Sequence, residues 1–345
     1  MAPGWLRQRR WRRLLYAIGL AGLLGLAIWA IAGSTSQLTE AKDALTRIEP
    51  GYLGLAAAAE AASFVAYAQG QRTLLRAARR AVPLLPMTGI VTAAQALANC
   101  LPAGIAASTI YTFRQLLRRR IGVLVSGEVQ IAQTLLYMAT LAVLALAGAE
   151  IAGSGGTVQQ IPDLQYIAFG LLGLTVLVIA AGAWLHRRGA DLRAWRWLAR
   201  RIASDPAAAD RMIAGAGELS PTRGEWVSAA LWTGGSWVLD CGCLAAGFLA
   251  VGSAPPMRGL LLAYCAGQLA NVIPISIGGL GVVEESLTAA LVIFGGAEGN
   301  TLAAVLLYRL FSYWAVFPAG LTAHLLIRRR HASAAAAEDP VVVPT

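Results

Sequence analysis

The chain has 345 residues, of which 57% are hydrophobic and 13% charged, with a formal net charge of +10 and a mean hydropathy of +0.60. An ordinary soluble domain carries about a quarter of its residues as charges, so a water-soluble fold is excluded. The basic balance does not point to nucleic acid, because every Lys and Arg except Arg309 lies outside the apolar runs, the distribution that the positive-inside rule produces.

Basic residues from Arg7 to Arg13 precede an apolar run that begins at Leu14 and passes Ala30-Ile31-Ala32, a cleavage-like box. A secretory core has about 7–15 residues and this run is longer, so it is read as a first span rather than a signal peptide. Runs near the ~20 residues that a helical span requires occupy 14–32, 51–70, 121–149, 164–185, 225–249 and 301–327, while 87–112 and 259–296 are broken internally. Arginine clusters at 7–13, 72–80, 114–120, 187–223 and 328–330 mark cytoplasmic ends. A multi-pass protein of the bacterial cytoplasmic (inner) membrane with both termini in the cytoplasm is expected.

Segment 87–112 has arginines on both flanks, so it is expected to enter from the cytoplasm and turn back. Its break is Asn99-Cys100-Leu101-Pro102-Ala103-Gly104, where proline removes a donor and disfavours helix before it. Segment 259–296 is expected to dip in from the opposite face, as one re-entrant hairpin or as two tightly paired helices. Between 186 and 224, Leu192, Trp195, Leu198 and Ile202 alternate with Arg193, Arg196, Arg200 and Arg201. This spacing reads as an amphipathic helix on anionic lipid, or simply as an anchor of the fold.

The two broken segments share Leu97-Ala98-Asn99-x-x-Pro102 and Leu269-Ala270-Asn271-x-x-Pro274, 172 positions apart. A similar offset pairs 14–32 with 164–185, 51–70 with 225–249 and 121–149 with 301–327, each pair opposite in direction. The fold expected is therefore an all-α polytopic membrane protein, an inverted repeat of two four-element halves with about six full spans and two broken re-entrant hairpins meeting near the midplane. After a basic N-terminus, 1–13, the halves are 14–149 and 150–327. A disordered cytoplasmic tail is expected over 328–345. Non-helical backbone at membrane depth needs a protein partner or a wet cavity. Asn99 and Asn271 either satisfy freed backbone groups there or bind a polar headgroup.

The stretch Asn271-Val-Ile-Pro274-Ile-Ser-Ile-Gly278-Gly279-Leu-Gly281-Val-Val-Glu284 resembles the lysylphosphatidylglycerol synthase transmembrane region, or flippase-like domain family. Tyr308-Arg309 also looks like that family's pattern. The resemblance covers most of 14–327 and implies lipid handling. Fused members carry a cytosolic aminoacyltransferase, and no such domain is expected here, where a short Ala-rich tail follows Arg330. The first hairpin departs from the commoner form: an acidic residue a few positions after the proline is replaced by Ala106, Ala107 and Ser108, with Tyr111 and Arg114 beyond.

Gly278, Gly279 and Gly281 permit tight turning and close backbone approach, or serve only helix packing. Glu284 and Glu285 open the outgoing arm. Ionisable residues within the runs are Glu60, Glu128, Asp240, Glu284, Glu285 and Arg309, and such residues mark functional sites by default. Arg309 is expected to pair with Glu284 or Glu285, or to bind a lipid phosphate when that pair opens. Unpaired acids such as Asp240 are expected to be protonated within a low-dielectric site, which also suits a proton-coupled carrier.

Cys100, Cys241, Cys243 and Cys265 lie in apolar segments and are expected to stay reduced. His186, His324 and His331 lie near cytoplasmic ends, and no metal cluster, nucleophile elbow or phosphate loop is present. No cofactor is expected. The leading function is translocation of a polar-headgroup or isoprenoid-linked lipid between leaflets. The alternatives are an embedded lipid-modifying enzyme and a non-transporting partner of an envelope glycosyltransferase. Anionic or isoprenoid-linked lipids are the expected partners, with a homodimer or an envelope-biosynthesis protein as further candidates.

Overall fold

The computed structural model describes residues 48–101, 104–153, 219–272 and 281–338, with Gly173. Their regular elements are helices: α1 (Pro50–Ala77), α2 (Leu84–Cys100), α3 (Gly104–Arg118), α4 (Val123–Gly153), α5 (Arg223–Ala250), α6 (Met257–Val272), α7 (Val282–Ile293), α8 (Glu298–Arg309), a π-helical turn (Leu310–Trp314) and α9 (Val316–Glu338). The expected spans 14–32 and, apart from Gly173, 164–185, and all of the amphipathic segment before Leu219, lie outside the described residues.

Local chemistry sets the helix ends. Pro50 opens α1, where a missing N–H costs nothing. The helix closes when Arg79 turns left-handed (φ 57°) and the Arg80 N–H donates to the Leu75 carbonyl at 2.8 Å. Thr222 caps α5 reciprocally: Glu225 N–H donates to Thr222 Oγ1 at 3.3 Å and Thr222 N–H to Glu225 Oε2 at 2.8 Å, two otherwise orphaned donors satisfied together. Gly252 and Gly295 follow α5 and α7 with φ of 71° and 96°, a conformation that glycine enters without a Cβ clash.

Two stretches among the described residues are long and apolar enough to cross a membrane by length and composition: α4, and Glu298–Arg329 running from α8 through the π turn into α9. They hold the expected run 121–149 from residue 123 onward and all of 301–327. The run 51–70 lies in α1, which continues past Gly70 because Gln71 is buried and Arg72 Nε donates to the Val82 carbonyl at 2.8 Å. The run 225–249 lies in α5. Segment 87–112 falls in two helices, α2 and α3, separated by the extended Leu101 (φ −120°, ψ 139°). Segment 259–296 holds α6 and α7, packed on each other. Helix α9 runs past Arg328 to Glu338, as an Ala-rich stretch of high helix propensity favours, and the rest of the tail lies outside the described residues.

The longest shared contact is between α1 and α5. Small residues permit it: a Cβ on Gly70 would come within 2.7 Å of Thr233 Oγ1, so only glycine lets the helices meet there. Around this pair α9 packs on α2, and α4 packs on α6. Large apolar side chains face outward, among them Ile131, Val143 and Ile151 of α4, Leu231 and Val238 of α5, and Leu321 and Leu325 of α9. So much exposed hydrocarbon suits lipid as the surrounding solvent.

Candidate functional site

Where α1 and α5 cross the two hairpins, a cavity of about 580 Å³ opens. The α1 wall is Glu60, Ser63, Tyr67 and Gln71, positions three to four apart that fall on one helical face. Trp237 and Asp240 face it from α5, Tyr264 and Gln268 from α6, and Tyr308 and Arg309 from α8. The first hairpin contributes Gln95 and Asn99 of α2 with Ser108, Thr109 and Thr112 of α3, and the second contributes Val283 and Leu287 of α7.

Asp240 is the most heavily contacted acid. Its Oδ2 accepts from Tyr264 Oη at 2.6 Å, from Gln268 Nε2 at 3.1 Å and from Tyr308 Oη at 3.2 Å. Gln268 Nε2 also donates to Tyr308 Oη at 2.9 Å, so three side chains from two helices hold one carboxylate oxygen. Trp237 stacks on Tyr137 with centroids 4.1 Å apart and donates to its carbonyl at 3.2 Å, which fixes the aromatic wall. Away from Glu60, Asp240 and Arg309 the lining is neutral: Gln71 bonds Gln130, and Gln95 Nε2 donates to Asn99 Oδ1 at 3.2 Å.

Arg309 is buried, with 5% of its surface exposed. Its Nε meets Glu284 Oε1 at 2.6 Å, and its guanidinium lies 4.5 Å above the Tyr313 ring. Of the two acids expected as partners, Glu284 takes the role and Glu285 is exposed. Glu284 uses its other oxygen, Oε2, to accept the Gly281 N–H at 2.8 Å. Gly281 has φ 82° and no side chain to return the bond, so this is a one-way cap. The Gly-x-x-Glu end of the motif thus has a local cause: a left-handed glycine starts α7, and its glutamate closes the start while holding Arg309.

At the first break the freed carbonyl of Asn99 accepts from Tyr313 Oη at 3.2 Å, and the Asn99 amide is engaged by Gln95. A Cβ on Gly104 would overlap the Ala98 carbonyl, which explains glycine at the start of α3. Tyr111 and Arg114 are not in the cavity: Tyr111 Oη bonds His324 Nδ1 of α9 at 2.9 Å, and Arg114 is exposed. At about 100° per residue they lie off the face that Ser108, Thr109 and Thr112 present. Pro102, Pro274, Gly278 and Gly279 lie outside the described residues, as does the side chain of Asn271. The cysteines are free thiols, and no group of metal-holding side chains occurs among the described residues.

Sequence reasoning named Glu60 only as an intramembrane acid and passed over Tyr264 and Gln268. The signal for Glu60 was its spacing with Ser63, Tyr67 and Gln71 in an Ala-rich helix. For Tyr264 and Gln268 it was their four-residue separation just before the second break.

A helical body with an apolar exterior and a polar interior cavity defines an integral membrane protein. The chain belongs to the family described as the lysylphosphatidylglycerol synthase TM region, which matches residues 13–320. It is also similar to a UPF0104 membrane protein of Methanothermobacter thermautotrophicus, 37% identical over 89 residues, which are 26% of this chain and 25% of that protein. The chain thus spans about a quarter of that relative's length.

Proposed function

We propose that this protein carries the polar headgroup of a lipid through the cavity while its acyl or isoprenoid chains remain in the bilayer, moving the lipid between leaflets of a bacterial cytoplasmic membrane. The observation that carries the reading is the cavity itself: a space of about 580 Å³ lined by both polar and apolar side chains inside an apolar helical body, within the usual ~300–1,000 Å³ range for small-molecule sites. A headgroup finds a cation at Arg309, an acidic pole at Asp240 and Glu60, and neutral amides at Gln71, Gln95 and Asn99. The role is that of a carrier and not a catalyst, with membrane lipid as the partner.

An inverted repeat supports alternating access to such a site. Residues 172 positions apart do matching work: Gly148 of α4 lets that helix approach the α6 backbone at Leu262, and Gly320 of α9 lets that helix approach the α2 backbone at Thr92. The same offset separates Asn99 from Asn271. In this reading α2–α3 enters from the cytoplasmic side and α6–α7 from the other, both re-entrant.

The test is leaflet exchange of fluorescent phosphatidylglycerol in proteoliposomes, preceded by native mass spectrometry of gently purified protein to identify co-bound lipid. The expected result is a co-bound lipid and exchange above that of protein-free vesicles. Purified folded protein that retains no lipid and accelerates exchange of neither phosphatidylglycerol nor an isoprenoid-phosphate lipid would overturn the reading.

A further inference from the structure

Two acids, Glu60 and Asp240, line one cavity. Glu60 lies on α1 and Asp240 on α5, the two helices that share the most extensive contact, and their carboxyl groups interact electrostatically. Glu60 is 6% exposed, and neither its Oε2 nor Asp240 Oδ1 meets a hydrogen-bond donor among the described residues. The donors from Tyr264, Gln268 and Tyr308 all converge on the other oxygen, Oδ2. The carboxylate charge of Asp240 is therefore solvated on one side, and its Oδ1 is left unpartnered in the cavity, as Glu60 Oε2 is.

With one oxygen of each acid unpartnered, two anions among Tyr137, Trp237 and Leu287 are only partly compensated, which a low-dielectric interior disfavours. A single proton between them removes one charge and supplies the missing donor. A metal ion is a poorer fit, because the tyrosine hydroxyls and the Gln268 amide already point donors at Asp240, and a cation site needs converging acceptors.

From this juxtaposition we propose that Glu60 and Asp240 form a proton-exchange site, holding one proton between Glu60 and the donor-free Oδ1 of Asp240 and releasing it as the cavity changes occupant. The proposal rests on the carrier reading and supplies its energy coupling. Glu60 and Tyr67 are the titratable groups that α1 presents. Around the pair, Tyr137 lies on α4, Tyr264 on α6, and Tyr308 and Arg309 on α8, while Cys241 and Cys243 neighbour it on α5. The α2, α3 and α7 residues of the lining, including Asn99, Thr112 and Leu287, do not titrate.

Arg309 is the cation among these lining residues, one position from the Tyr308 that touches Asp240. When the proton leaves, the pair gains a negative charge that competes with Glu284 for the guanidinium. When the proton returns, Arg309 is restored to Glu284. Proton movement and the α7–α8 latch are in this way linked through one arginine.

Infrared difference spectroscopy of the full-length protein in lipid nanodiscs, switched between acidic and alkaline buffer, reads the proton without any transport. The expected result is a protonated-carboxyl C=O band that shifts in D₂O, is lost in Glu60→Gln, and persists at a changed frequency in Asp240→Asn. Both substitutions are near-isosteric, and size-exclusion profiles matched to wild type qualify each variant. The proposal is overturned if wild type shows no band that Glu60→Gln removes, or if sodium chloride at fixed pH displaces the band as alkali does, the result of a metal-cation site. The same preparations in liposomes with an imposed pH gradient separate the two readings. Lipid exchange that persists without the band removes the proton site alone, whereas a band without lipid exchange removes the carrier.

Discussion

At the end of α2 the chain leaves the helix through extended Leu101, and the orphaned Asn99 carbonyl is taken by a neutral donor, Tyr313 Oη. At the start of α7 the chain enters through left-handed Gly281, and the orphaned N–H is taken by a charged acceptor, Glu284, which is itself held by Arg309. Both clamps come from one place, since Arg309 ends α8, Tyr313 sits in the π turn that follows, and the guanidinium stacks on the ring 4.5 Å away. A π turn widens a helix by a residue and recurs at functional sites; here it lets two neighbouring side chains reach two different hairpins. The difference between the breaks is one of exchangeability. A neutral hydrogen bond inside protein has no competitor, whereas an ion pair opens to any anion that offers Arg309 a better partner, a lipid phosphate included.

Arg309→Ala tests the charged clamp and carries the largest expected effect. Leaving Glu284 without its partner costs about 3–5 kcal/mol if the pair behaves as a buried one, and leaflet exchange in proteoliposomes is expected to fall to background. Arg309→Lys is expected to rescue only part of the rate, because a guanidinium fork engages a carboxylate or phosphate in two bonds and an ammonium in one. Wild-type exchange in both Arg309→Ala and Glu284→Gln would show the clamp to be a dispensable structural pair and dissolve the contrast between the hairpins.

The supports behind the two hairpins are expected to respond alike. Gly320→Val would drive α9 off α2, and Gly148→Val would drive α4 off α6, because a Cβ at either position meets the neighbouring backbone within about 3 Å. Overpacking of this kind costs typically 1–3 kcal/mol. Thermal unfolding followed by tryptophan fluorescence checks it. Similar losses support equivalent roles in a repeat, and a loss at one glycine alone breaks the equivalence.

How much of this was legible follows from the range of each interaction. Helices α1, α4 and α5 could be placed from apolar runs and flanking charges, since those signals are local, though α1 outran its expected end at Gly70 by a further seven residues to Ala77 because Gln71 and Arg72 find partners the sequence does not display. Arg309 could be given an acidic partner because a lone cation in an apolar run demands one, and the choice of Glu284 over Glu285 depended on the phase of α7. The meeting of Glu60 with Asp240 was not legible: it joins residues on helices far apart in the chain, and nothing in either segment announces the other. The π turn left no sequence mark that pattern reading could find.

The neutral clamp has a smaller expected effect. Tyr313→Phe removes the donor to the Asn99 carbonyl, and leaving a buried acceptor unpaired costs about 1–3 kcal/mol. The ring remains beneath Arg309, so the charged clamp should stay intact. Hydrogen exchange measured by mass spectrometry is expected to rise at the α2–α3 junction and remain unchanged at the start of α7. Equal rises at both would mean that the two breaks are clamped as one unit rather than separately.

The smallest expected effect belongs to Tyr111 and Arg114, which the sequence pattern drew into the site and the fold places outside it. Tyr111→Phe removes one half-buried hydrogen bond to His324, for which a net loss of about 1 kcal/mol is ordinary. Arg114→Ala removes an exposed charge, and surface changes of that sort usually fall within about 0.5 kcal/mol. Neither side chain lines the cavity, so leaflet exchange at matched protein density should equal wild type in both variants, against the collapse expected at Arg309. A marked slowing in Arg114→Ala without loss of thermal stability would mean that lipid passes along the outer face of α3 before reaching the cavity. The polar inner face of Ser108, Thr109 and Thr112 would then be one side of a path that continues around that helix.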